Sequence, residues 1–190
     1  MSSKRRVVVT GLGIVSPLGN DLETTWKNIL NGESGAARIT KFDASDFSTT
    51  FAAELKGYDD ISGLTQKETR RIDPFVQYAL TASDQAITDA NLALKNLDTK
   101  RIGVSIGSGI GGLGSIEDNS IILKEKGPKK ISPFFVPGAI INMASGNVAI
   151  KYNLQGPNIS IVSACSSAGH SIGYSARTIS YGDADIMITG

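Results

Sequence analysis

Residues 158–189 run strand, helix, strand, and that order leaves few folds open. Asn158 to Ser163 is a short β-branched run, Ser166 to Tyr181 has helical spacing, and Ala184 to Thr189 is again apolar and strand-like. A strand, a crossover helix and a second strand predict a right-handed parallel unit. Parallel strands are covered by helices on their faces, so the chain reads as α/β. The final run, Asp185-Ile186-Met187-Ile188-Thr189-Gly190, meets the terminus with no polar tail. Domains seldom stop on a buried strand, and we expect a single domain over residues 1–190 that is cut short at its end.

Earlier segments fit the same class. Arg5 to Thr10 reads as a short buried strand ended by Gly11-Leu12-Gly13. Asn20, three residues ahead of Glu23, reads as a helix cap. The helix it opens carries Leu22, Trp26, Ile29 and Leu30 on one face and stops at Gly32. Residues 35–60 lack periodicity and predict loops with short strands. A long helical pattern covers Thr65 to Leu92, interrupted by Pro74, and Arg101 to Ile106 is a strand. Gly127 to Pro137 reads as a basic, proline-flanked loop, and Ala139 to Tyr152 as helical.

Composition removes several function classes. A net charge of +1 gives no basic field for nucleic acid, so any basic site is a local patch. The apolar run after Arg6 is too short for a signal peptide or a membrane span, which predicts a cytoplasmic protein. A single cysteine excludes an internal disulfide, and with a single histidine it sets a Cys/His zinc site aside. No metal or cofactor is expected.

Two segments imitate a dinucleotide fingerprint. Gly11-Leu12-Gly13-Ile14-Val15-Ser16 follows a strand, yet Pro17 and Gly19 come next and the credible helix start waits until Asn20. Gly107-Ser108-Gly109-Ile110-Gly111-Gly112 matches G-x-G-x-x-G and is harder to dismiss. The second strand and terminal acid of that unit do not follow; Lys124 to Lys130 reads as a solvated loop. Both segments therefore read as turns that let other backbone approach closely. A dinucleotide-binding module using Gly107–Gly112 stays open as an alternative.

Cys165 stands where a strand turns into a helix, among Ser163, Ala164, Ser166, Ser167, Ala168 and Gly169. Small neighbours permit the sharp turn that lifts a nucleophile into a cleft. The helix start also favours negative charge on sulfur, and a thiolate is what acyl-thioester exchange requires. His170 lies five residues on, about 140° around the helix, and does not reach the sulfur. A structural role for His170 is expected. A cysteine hydrolase, with its His and Asp further along, is a second alternative.

Asn158-Ile-Ser-Ile-Val-Ser-Ala-Cys165-Ser-Ser-Ala-Gly-His-Ser-Ile-Gly173 resembles the active-site segment of β-ketoacyl-[acyl carrier protein] synthases. Val7 to Gly13 resembles their first strand. Ile106 to Leu113 and Ile131 to Pro137 are similar to the type II elongating enzymes. The resemblance covers essentially the whole chain, in order. It implies a thiolase-like fold, two α/β halves stacked as alternating helix and sheet layers, usually as a homodimer. This chain would be the N-terminal half, with the family's catalytic histidines and lysine in the other half.

The activity implied is decarboxylative condensation of acyl- and malonyl-acyl carrier protein, through an acyl group on Cys165. By position, Ile110 matches the residue that gates the acyl pocket. Phe135 matches one that lines the pocket of the partner subunit. Lys67, Arg70 and Arg71, spaced for one helical face, and Lys129 and Lys130 match carrier-protein docking positions. Taken alone, these clusters would read as solvated charge. The implied partners are the acidic acyl carrier protein and a second subunit, without nucleic acid or membrane.

Overall fold

The computed structural model describes residues 5–58 and 63–190. Met1 to Lys4 of the basic start, and residues 59–60 of the loop expected over 35–60, lie outside the described residues. In chain order the elements are α1 (Leu22–Leu30), β1 (Ala37–Arg38), β2 (Phe51–Ala52), α2 (Gln66–Thr69), α3 (Pro74–Asp89), β3 (Ile102–Ser105), α4 (Leu113–Lys126), α5 (Phe135–Ala139), α6 (Met143–Tyr152), β4 (Asn158–Ile159), α7 (Ser167–Tyr181) and β5 (Ile186–Thr189). β1 and β2 form a small antiparallel pair.

β3 is the middle strand of a parallel sheet ordered β4-β3-β5. Val104 pairs with Asn158 on one side and Ile188 on the other. The β4-α7-β5 connection thus passes over β3, which is the parallel crossover that residues 158–189 predict. All four residues of β3 are buried, as expected for a strand covered on both faces. The core gathers Val76, Leu80 and Ile87 of α3, Ile102 and Val104 of β3, Val148 of α6 and Ile188 of β5. Each of these side chains, when fully buried, contributes about 1.5–3 kcal/mol. α7 packs on β3 and β5 and buries Ser167, Ser171, Ser175 and Thr178, small residues that let helix and sheet approach closely.

Several local expectations shift, each for an identifiable reason. Pro74 begins a helix instead of interrupting one, because its missing N–H and fixed φ suit the first turn and Asp73 caps it. The long pattern from Thr65 to Leu92 is therefore α2 and α3. Asp21, not Asn20, caps α1, since its carboxylate accepts the Thr24 N–H at 2.7 Å while Asn20 donates to Lys56 O and Gly57 O. Leu113 to Lys126 is a 14-residue helix, weakly amphipathic and without a buried residue, which is why its pattern reads poorly. The loop expected over Gly127 to Pro137 contains a helical turn at Pro128–Lys130 and the start of α5.

Arg5 to Thr10 is not a buried strand. Val8 and Val9 are 57% and 76% exposed, and the segment joins no ladder. The residues that follow it are tied to α3, with the Leu12 N–H donated to Asp89 and the Ile14 N–H to Gln85. Arg5 is held by Asp185, which also pairs with Arg101. The apolar stripe of α1 is likewise outward, and Thr25 is the residue that helix buries.

Candidate active site

The chain leaves β4, runs to Ser163, and enters α7 through a single helical turn at Ala164–Ser166. Ala164 has φ of +51°, a left-handed conformation that costs a residue with a Cβ about 1 kcal/mol or more. Such strain persists only where neighbours enforce it. The Ser163 N–H donates to Ser167 Oγ at 2.9 Å, and that hydroxyl donates to Ala164 O at 2.7 Å. The Ser166 N–H donates to Ser163 O at 3.1 Å. Ser163 Oγ lies 2.5 Å from His170 Nδ1. Cys165, at the tip of this turn, is exposed. His170 is thus engaged with Ser163, the structural kind of role its helical position suggests.

No side chain caps the start of α7 among the described residues. The first N–H of α7, on Ser167, is taken by Ala164 O, so the turn closes on itself as it enters the helix. The turn itself is seated on two supports. Gly107 lies so near that an added Cβ would sit 2.7 Å from Ile161 O and 2.9 Å from Ser167. Ser145, fully buried on α6, accepts the Ile106 N–H at 2.8 Å and donates to Ile159 O at 2.9 Å. One hydroxyl therefore ties the ends of β3 and β4 together beneath the elbow. Sequence reasoning missed Ser145, because a serine in a helical pattern carries no mark of burial.

Both glycine segments are close-approach turns. A Cβ on Gly11 or Gly13 would collide with the α3 backbone at Ala86 O and Ala82 O. Gly111 takes φ of +85°, and a Cβ there would meet Ala139 O at 2.6 Å. The same loop brings Ile110 near the elbow. Gly109 faces the Ala164 backbone, and the Gly112 N–H donates to Ala139 O at 2.8 Å. Ile110, 61% exposed, stands between those two contacts, and α5, which bonds to the loop, begins at Phe135, itself half-buried.

Lys67 lies in α2, Arg70 is its C-terminal cap and Arg71 follows, so the three cover a helix end instead of a longer face. Lys129 and Lys130 lie in the turn before α5. All five are exposed. The two clusters are joined structurally: the Arg71 guanidinium stacks 4.3 Å above the Phe134 ring, and the Asp73 N–H donates to Gly138 O. Asp73 also accepts from Ser115 Oγ at 2.7 Å, anchoring α4. That hub was partly legible, since an aspartate before a helix-opening proline is a cap signature. A mainly apolar cavity of about 790 Å³ lies behind the elbow, lined by Gly107, Ser108 and Ala168 together with the Val7 to Val15 segment; Cys165, Ile110 and Phe135 are not part of its wall.

The structure thus presents one exposed thiol at a strand-to-helix elbow on an α/β frame. Comparison with known proteins narrows the class. The family description "Beta-ketoacyl synthase, N-terminal domain" matches residues 4–190. The chain is 54% identical over 187 residues to a 3-oxoacyl-[acyl-carrier-protein] synthase 2 of Coxiella burnetii, covering 98% of this chain and 45% of that protein. Among solved structures, the ishigamide ketosynthase/chain length factor superposes with a TM-score of 0.89 at 25% identity, over 99% of this chain and 47% of that one. A ketosynthase in complex with its type II PKS acyl-carrier protein gives 0.83 at 24% identity, over 98% and 50%. The chain belongs to the β-ketoacyl synthase family and has its thiolase-like α/β fold. It spans about half the length of the curated relatives it matches.

Proposed function

We propose that this chain forms the nucleophile-bearing half of a 3-oxoacyl-[acyl carrier protein] synthase that elongates fatty acids. The observation that carries the reading is the exposed Cys165 at the tip of a strained, hydrogen-bonded elbow at the start of α7. The names of the relatives support the same chemistry.

In the proposed reaction the Cys165 sulfur attacks the thioester carbonyl of acyl-acyl carrier protein, and the carrier's thiolate leaves. Malonyl-acyl carrier protein then loses carbon dioxide, and the electron pair freed at its α-carbon attacks the acyl-Cys165 carbonyl. A carbon–carbon bond forms, the sulfur–acyl bond breaks, and the thiolate returns as 3-oxoacyl-acyl carrier protein departs. The Cys165 N–H is our candidate for one oxyanion donor, a role often worth about 3 kcal/mol in such barriers. Ile110 is assigned to gating the acyl pocket and Phe135 to lining that of a second subunit, which makes the working unit a homodimer. Lys67, Arg70, Arg71, Lys129 and Lys130 form the surface for the acidic carrier. The bridge through Arg71, Phe134, Asp73 and Gly138 supports reading the two clusters as one patch. No described helix is long and apolar enough to cross a membrane, and our reading is a cytoplasmic enzyme.

The test is intact mass after incubation with a long-chain acyl-acyl carrier protein, beside Cys165→Ala. An acyl adduct that disappears in the variant is expected. If neither this chain nor a chain extended to the length of its relatives takes the acyl group, the synthase reading is wrong.

A further inference from the structure

The left-handed residue at the elbow needs something to hold it, and most of what holds it is short-range. The bonds from Ser163 N–H to Ser167 Oγ, from Ser167 Oγ to Ala164 O, and from Ser166 N–H to Ser163 O all close within four residues. Such bonds define the turn, and Gly107 seats it by close approach at Ile161 O and Ser167. One hydrogen bond of the elbow itself reaches further. Ser163 Oγ meets His170 Nδ1 at 2.5 Å across seven residues, joining the strand side of the elbow to the second turn of α7. Ser163 is half-buried and His170 exposed, so the bond lies at the mouth of the site, on the flank of Cys165.

We propose that Ser163 and His170 are a positioning pair: their hydrogen bond sets the tilt of the elbow, and with it the place of the Cys165 sulfur over the start of α7. The imidazole acts through Ser163 and does not touch the sulfur. It is therefore a positioning residue and not the base of the reaction. Either ring state serves, because Nδ1 accepts from the serine hydroxyl when unprotonated and donates to its oxygen when protonated. The pair's importance to function rests on the reading of Cys165 as the acyl carrier. Its geometric role can be tested without that reading.

Cys165 is the chain's only thiol, so iodoacetamide alkylation followed by intact mass reports on it alone. The 190-residue chain is compared with Ser163→Ala, His170→Ala, His170→Asn and the double alanine variant. Asn can place an amide oxygen near the position of Nδ1 and so restores an acceptor. The expected result is an alkylation rate about tenfold lower in each alanine variant, no further fall in the double variant, and recovery in His170→Asn, the signature of one shared interaction. Rates equal to the unsubstituted chain, effects that multiply in the double variant, or no recovery with Asn would each overturn the pairing. Ser163→Ala removes one oxygen and leaves the backbone bonds intact, so it decides the matter if circular dichroism shows that His170→Ala fails to fold. The acyl-carrier reading fails separately, as an unsubstituted chain that takes no acyl group while this alkylation pattern holds.

Discussion

The Cys165 elbow and the segment from Arg5 to Gly57 are organised in opposite ways. Around the elbow the residues are small, the tip itself is exposed, and two of the polar side chains that support it are interior: Ser145 is fully buried and Ser167 is 3% exposed. In the N-terminal segment the residues are large and apolar, yet they face outward. Val9 is 76% exposed and Leu30 69%, with Trp26, Phe42, Phe47 and Phe51 all above half. The contrast separates two things that hydrophobicity scales merge. A side chain is buried only when a complementary surface lies opposite, and the described residues supply none to α1. The elbow needs little apolar area, because close backbone approach and a dense set of hydrogen bonds hold it.

If that account is right, substitutions should divide by region. The largest loss is expected in the core that carries the elbow's sheet. Leu80→Ala should cost about 2–5 kcal/mol, read from chemical denaturation, because the side chain is 1% exposed and leaves a cavity. Next comes the elbow's seat. Gly107→Ala pushes a methyl against Ile161 O and Ser167, should cost about 1–3 kcal/mol, and should also slow Cys165 alkylation. A variant as stable and as reactive as the original would show that the turn is not held by close approach.

In the outward region the same size of truncation should do almost nothing. Trp26→Ala, at a side chain 58% exposed, should stay within about 0.5 kcal/mol. A loss comparable to that of Leu80→Ala would erase the contrast. The smallest effect concerns the tie between the N-terminal segment and the sheet. Hydrogen bonds from Arg101 and then Arg5 hold the Asp185 carboxyl well below its usual value of 3.8. A depressed folded value means stabilisation that is fully present above the unfolded value and lost progressively as pH falls through the folded one. The unsubstituted chain should therefore be slightly more stable than Asp185→Asn at neutral pH, and the margin should shrink steadily as acid is added below the usual carboxylate range. Stability curves that stay parallel into that acid range would remove the ion pair as the tie.

Much of this was legible in particular residues. The parallel unit over 158–189 followed from apolar runs of the right length, and Cys165 stood out through its small neighbours. Gly107 to Gly112 read correctly as a turn, because no strand with a terminal acid follows it. The roles proposed for Ile110, Phe135 and the five basic residues come from the family resemblance; spacing alone would have left these residues as surface. What failed was local in the sequence and non-local in cause. Asn20 and Asp21 are equally good caps in a string of letters, and the Asn20 bonds to Lys56 O and Gly57 O made the choice. Val7 to Thr10 has every property of a buried strand, yet among the described residues it pairs with neither outer strand of the sheet and Val8 and Val9 face outward.

The sequence by itself determined the class of fold, the place of the lone thiol at a strand-to-helix turn and the turns that glycine and proline impose, because these depend on covalent geometry and on periodicity along the chain. Tertiary structure decided which apolar faces are buried, that Ser145 ties β3 to β4, that Arg71 stacks on Phe134, and that His170 engages Ser163. Each of these depends on groups distant in sequence meeting in space, and burial or a hydrogen bond belongs to the pair that meets, not to either residue alone.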